Sequence, residues 1–236
     1  MKGHNEELVF VIDKSGSMSG LEADTVGGYN SVLDRNRAGE GSAWVTCVLF
    51  DTGFEVVHDR VPIETVAPLR RADYVPGGCT ALLDAVGRTI ERVGLVQRHL
   101  PDGFRPDHTT FAIITDGEEN ASRSFTYPMV KEMIEGKERE GWEFLFLGAN
   151  IDVASHAASM GIRPAMATSY SADETGTWAA FDSFAGAVAQ ARSCGSVDDS
   201  WSAPTKADER RRHGGHSGGK GHGGGKDHRG RGLFRR

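Results

Sequence analysis

The sequence predicts an α/β protein: a three-layer, Rossmann-like, doubly wound sheet of six strands, mostly parallel, with one antiparallel edge strand. Three observations lead there. Short apolar runs alternate along the chain with longer amphipathic stretches, the pattern of strands joined by crossover helices. Two of the runs, Leu8 to Ile12 and Thr109 to Thr115, are continuously apolar or β-branched and each is followed by an aspartate. Central strands buried on both faces read this way. One pair of runs is separated by a turn too short to hold a helix, which makes the second of them antiparallel.

In order, the first strand is Leu8 to Ile12. A Ser/Gly loop leads to a helix from about Leu21 to Arg37, with Val26, Tyr29 and Leu33 on its inner face, although Gly27 and Gly28 cost helix propensity. Ala43 to Phe50 is the second strand, and Asp51 to Gly53 turns it into the third, Phe54 to Val61. Pro62 to Val75 is irregular and ends in Pro76, Gly77, Gly78, Cys79 and Thr80. From Ala81 to about Val96, Leu82, Leu83, Val86, Ile90 and Val93 recur at helical spacing. A Pro/Gly loop precedes the fourth strand, Thr109 to Thr115. A helix from about Tyr127 to Glu140 follows, with Val130, Met133 and Ile134 on one face. Trp142 to Leu147 is the fifth strand, Asp152 is placed to cap a short helix reaching Met160, and Met166 to Tyr170 is a sixth, edge strand. The closing helix, Thr175 to about Arg192, packs through Trp178, Phe181, Phe184 and Val188.

From Ser200 the composition turns to Gly, His, Arg and Lys with few large apolar residues. Such a segment buries too little surface to offset its ordering entropy. The reading is therefore one domain over 1–198 and a disordered tail over 199–236. Of 236 residues, 38% are hydrophobic and 25% charged, as in a soluble globular protein. No apolar run approaches the roughly 20 residues that span a bilayer. The polar start and the short run after it do not make a secretory signal, so the expected location is cytoplasmic, with no membrane partner. Cys47, Cys79 and Cys194 form no zinc spacing and read as buried or semi-buried thiols.

From Lys206 onward, ten Lys/Arg stand against three Asp/Glu, so the tail carries +7 and the body −13 of the net −6. The acidic body argues against a nucleic-acid surface, leaving at most a weak contribution from the tail. The tail's His213, His216, His222 and His228 read as a solvated segment, with loose Ni²⁺ or Zn²⁺ binding as the alternative.

Three polar clusters carry chemistry: Asp13, Ser15, Ser17 and Ser19 after the first strand; Gly77 to Thr80 before the second long helix; and Thr115, Asp116 and Gly117 after the fourth strand. In an open parallel sheet, ligands bind beyond the carboxyl ends of the strands. The clusters offer carboxylates and hydroxyls with no His or Cys placed to compete, a set suited to a hard cation such as Mg²⁺ or Mn²⁺. Thr80 also reads as a helix N-cap, Cys79 as a small loop residue, and Asp51, Glu118, Glu119 and Asn120 as solvated rim residues.

Ile12 to Met18, Gly77 to Leu82 and Ile114 to Gly117 resemble the three parts of the metal-ion-dependent adhesion site (MIDAS) of von Willebrand factor A (VWA) domains, in the family's order, over roughly residues 6–193. The resemblance implies strand order 3-2-1-4-5-6 and a divalent metal, Mg²⁺ or Mn²⁺ with Ca²⁺ as an alternative, held by Asp13, Ser15, Ser17, Thr80 and Asp116. It further implies that the serines bind directly, the threonine directly or through water, and the aspartates often through water, with an acidic residue of a partner protein completing the shell. Related intracellular proteins of bacteria and phages act beside AAA+ ATPases, which makes such an ATPase an expected partner.

The competing reading is a metal-dependent phosphohydrolase using Asp13 and Asp116. Against it, none of His4, His58, His99, His108 and His156 falls in a metal or triad pattern. The first loop lacks a second aspartate two residues after Asp13, is not a phosphate-binding Walker loop, and has Met18 where a nucleophile elbow needs serine. An EF-hand fails because Met18 stands at its glycine position and Asp24 where glutamate is usual. The expectation is a binding module, not an enzyme.

Overall fold

The computed structural model describes residues 4–39 and 41–214. Its six strands are β1 (Glu6–Asp13), β2 (Ala43–Phe50), β3 (Phe54–Pro62), β4 (His108–Thr115), β5 (Trp142–Gly148) and β6 (Ala167–Ser169). They form one sheet in the order β3-β2-β1-β4-β5-β6, all pairs parallel except β2 with β3. Every residue of β1 and of β4 is buried, as their unbroken apolar character requires of central strands. The order reverses between β1 and β4, and this places the ends of those two strands at the switch point of the sheet.

Helices α1 (Glu22–Asn36), α2 (Leu82–His99), α3 (Tyr127–Glu138) and α4 (Val153–Ser159) lie between strands as connections, and α5 (Glu174–Cys194) follows β6. The pair α1 and α5 packs together, and so does the pair α2 and α3. Phe10 of β1 meets Tyr29 of α1 and Phe184 of α5 edge-on, with ring centroids 4.8 and 5.0 Å apart. The two glycines that weaken α1 let side chains of α5 approach its backbone. A Cβ on Gly28 would lie 2.2 Å from the ring of Phe181, and Trp178 lies over Gly27. Trp178 itself stays half exposed, so α5 buries Phe181, Phe184 and Val188 and not the whole predicted set.

Within the segment expected to be disordered, residues 203–214 instead form a sixth helix, α6 (Ala203–Gly214), which packs on α5 and β6. Polar contacts do what apolar area does elsewhere. The Trp201 indole donates to the Ala165 carbonyl at 2.9 Å, and the Ser183 and Thr205 hydroxyls meet at 2.7 Å in the interior. Arg212 reaches both Asp208 and the α5 N-cap Asp173 at 2.6 Å. Residues 215–236, with three of the four tail histidines, lie outside the described residues. Of the three thiols, Cys47 is buried whereas Cys79 and Cys194 are exposed, against the expectation that all would be at least half-buried. Among the described residues no helix is long and apolar enough to cross a membrane.

Candidate metal centre

The five expected residues converge at the carboxyl end of the sheet. Asp13 ends β1, and its carboxylate accepts from the Ser15 backbone N–H at 2.6 Å, folding the chain into a tight Asx-type turn. Residues Gly16–Met18 then form a 3₁₀ turn anchored by the fully buried Met18. The Ser15 and Ser17 hydroxyls lie 3.1 Å apart, and Ser17 donates to Asp116 at 2.5 Å. Thr80 donates to Ser15 at 3.0 Å, so all three clusters join in one hydrogen-bonded set.

Backbone bonds hold the clusters in place. Gly16 donates to the Gly78 carbonyl and Gly77 to the Lys14 carbonyl, which zips the first two loops together. Gly78 has φ +68°, a left-handed conformation that suits glycine. Gly117 leaves the room the hydroxyls need: a Cβ there would lie 2.9 Å from the Thr80 hydroxyl and 3.0 Å from that of Ser17.

Asp13, Ser15, Thr80 and Asp116 are buried, while Ser17, Gly78, Cys79 and Glu118 are exposed and form the mouth. Burial pushes the Asp13 carboxyl up to about 6, against the opposing bonds from Thr115 and Ser15. Asp116 is raised in the same way, against its bond from Ser17. Among the described residues no cationic side chain bonds to either carboxylate. Lys14, beside Asp13 in sequence, pairs with Glu55 at 2.9 Å instead. No group of three or more His, Cys, Asp or Glu suited to a metal exists among the described residues. The donors that meet here are two carboxylates and three hydroxyls, all oxygen, which fits a hard cation.

Several contributors escaped the sequence reading. Thr115 donates to the second Asp13 oxygen at 2.6 Å, and Tyr74 donates to the Asp13 carbonyl. Glu119 and Asn120, expected as solvated rim residues, are structural. Asn120 accepts from the Thr80 N–H, and Glu119 accepts from Leu83, Ala121 and Ser122. Thr80 does not cap α2, because its hydroxyl is turned to Ser15. The first turn of α2 is satisfied by Glu119 and Ser122. Asp84 gathers the N–H groups of Arg123, Ser124 and Phe125, which fixes the segment after Asp116. Such long-range caps have no local spacing to announce them.

No family model and no curated protein matches the sequence. Solved structures do resemble the fold. Proximal thread matrix protein 1 from the mussel byssus aligns with a TM-score of 0.53 at 15% identity, over 78% of this chain and 45% of its own. A von Willebrand factor type A protein from Catenulispora acidiphila gives 0.51 at 14%, over 78% and 42%. The pilus adhesin SpaC from Lactobacillus rhamnosus GG in its open conformation gives 0.57 at 11%, over 80% and 30%. The chain thus spans less than half the length of each of these proteins, and at such identities the likeness speaks for architecture alone. With the six-stranded order 3-2-1-4-5-6 and one antiparallel edge, the chain has the fold of a von Willebrand factor A-type domain.

Proposed function

We propose that the chain is a divalent-metal-dependent protein-binding module, in which a cation held by Asp13, Ser15, Ser17, Thr80 and Asp116 accepts an Asp or Glu carboxylate from a partner protein. The observation that carries this reading is a buried pair of carboxylates, Asp13 and Asp116, ringed by hydroxyls and bonded to no cationic side chain among the described residues. Leaving two such charges without a countercharge is costly. When bound, Mg²⁺ or Mn²⁺ supplies a hard electrophile, and Ca²⁺ suits the same oxygens with a looser shell.

The division of labour follows from charge. Ser15, Ser17 and Thr80 present neutral oxygens, while Asp13 and Asp116 orient them from behind. Neutral ligands keep the site electrophilic toward an incoming carboxylate. The exposed Ser17 edge is where the partner's acidic side chain enters. The resemblance to intracellular VWA proteins makes an AAA+ ATPase our first choice of partner and the cytoplasm the expected compartment.

A binding role is favoured over phosphohydrolysis by the commitments of the histidines. His58 bonds Tyr29, His99 the Leu95 carbonyl, His108 two glutamates and His156 Tyr127. The test uses Mn²⁺ as probe, with water-proton relaxation reporting its coordinated waters. Acetate should lower the relaxation enhancement of the loaded wild type where acetamide does not, and Asp13→Ala should show no enhancement. Enhancement indifferent to acetate, or turnover of p-nitrophenyl phosphate that vanishes in Asp13→Ala, would overturn the reading.

A further inference from the structure

Tyr170 follows β6 and is 4% exposed, and its hydroxyl is buried without a hydrogen-bond partner among the described residues. Buried phenols ordinarily find one, because an unmade bond there is costly while phenylalanine of the same shape avoids the cost.

Its place in the fold is specific. Thr115 pairs with Gly148, and Gly148 with Ser169, across the carboxyl edge of β4, β5 and β6. Asp116, Ala149 and Tyr170 each stand one residue beyond that row. The Ala149 N–H binds the Thr115 carbonyl at 3.0 Å, and the Tyr170 N–H binds that of Gly148 at 2.9 Å. Burial, and then the negative charges of Asp116 and Asp13, push the phenol far above the usual tyrosine range, so its hydroxyl sits in the field of both carboxylates. Tyr74, the phenol that donates to the Asp13 carbonyl at 2.5 Å, feels the same two aspartates and Tyr170. The Asp116 oxygen bonded to Ser17 is Oδ1, which leaves Oδ2 for a second donor.

We propose that Tyr170 is a positioning residue of the metal centre, its hydroxyl donating through an ordered water to the Asp116 carboxylate and fixing that group's orientation. The proposal rests on the metal-binding reading above. Groups that orient ligands from outside the first shell typically change metal affinity by 10- to 100-fold.

The experiment compares full-length wild type and Tyr170→Phe by Mn²⁺ titration and by melting with and without metal. Tyr170→Phe should weaken Mn²⁺ binding by roughly tenfold or more while changing the metal-free Tm little, since only a bond through water is lost. Unchanged affinity in the variant, beside a wild type that binds, would overturn this inference alone. A lower metal-free Tm that accounts for the weaker binding would also overturn it, by making the hydroxyl merely structural. A wild type that binds no Mn²⁺ would remove the metal reading and this inference together.

Discussion

The first strand carries buried carboxylates at both ends, and among the described residues only those at the amino end have cationic partners. At its amino end, Glu6 accepts from Thr110 at 2.7 Å and faces His108 at 3.1 Å, whose other ring nitrogen lies 3.3 Å from Glu143. Its neighbour Glu7 pairs with Arg60 at 2.9 Å, and that guanidinium also lies 4.4 Å over the ring of Trp44. Burial pulls His108 down, but its bonds to Glu143 and Glu6 prevail and hold it up at about 9. Burial raises Glu7 to about 7, with Arg60 opposing. At the carboxyl end, Asp13 is as deeply buried and receives only hydroxyl and backbone donors. One end of the strand brings its own cations; the other, on the function proposed above, receives one.

The contrast is broken most forcefully at the amino end. His108→Leu should cost about 3–5 kcal/mol, because it strands Glu6 in the interior, and should leave Mn²⁺ affinity unchanged. Since the folded imidazole titrates above its ordinary value of 6.5, its contribution is complete below about pH 6.5 and disappears as pH rises through about 9. Melting curves from pH 6 to 10 check both statements. A variant that melts with the wild type at pH 6 would mean that this cluster holds nothing.

The carboxyl end should respond in the opposite direction. Asp13→Asn should stabilise the metal-free protein at pH 7 by up to about 3 kcal/mol while abolishing metal binding. The sign follows from an acid whose folded value, about 6, exceeds its ordinary 3.8. Its ionisation costs stability progressively as pH rises through that window. Denaturant melts with and without Mg²⁺ read this directly, and a metal-free variant less stable than wild type would contradict it. The same proton competes with the cation, so Mn²⁺ affinity should fall by roughly tenfold per pH unit below about pH 6. A flat profile from pH 5 to 7 would exclude Asp13 from the site. Smallest in stability is Gly117→Ala, whose Cβ crowds the Thr80 and Ser17 hydroxyls. It should cost about 1 kcal/mol or less and weaken Mn²⁺ by about tenfold, measured by the same titration.

The parts legible in the sequence are those with a local signature. Continuous apolar runs located β1 and β4, and helical spacing located α2, because burial on one or both faces writes itself into periodicity. The Asp152 cap of α4 is readable because it too is local, its carboxylate accepting from Ser155 three residues on. What escaped is non-local. Gly27 and Gly28 look like helix-weakening residues until the rings of Trp178 and Phe181 arrive from α5. The α6 helix has too little apolar content to announce itself, and its docking depends on partners such as Ser183 and Asp173 that lie far back in the chain. Glu119, Asn120 and Asp84 look like surface charge and amide, yet they satisfy backbone groups of loops brought together only by the fold. The five candidate residues could be singled out because they end β1 or fall in loops that follow β1 and β4 or precede α2, and because those segments resemble the VWA motifs.

Asp13 and its neighbours are proposed to form one divalent-cation site. Calorimetric titration of Mg²⁺ and Mn²⁺ into the metal-free full-length protein and its Asp13→Ala variant tests it most directly, since any binding by the tail histidines is common to both. About one equivalent should bind to the wild type and be missing from the variant. Equal heats in the two proteins, or none in either, would contradict it.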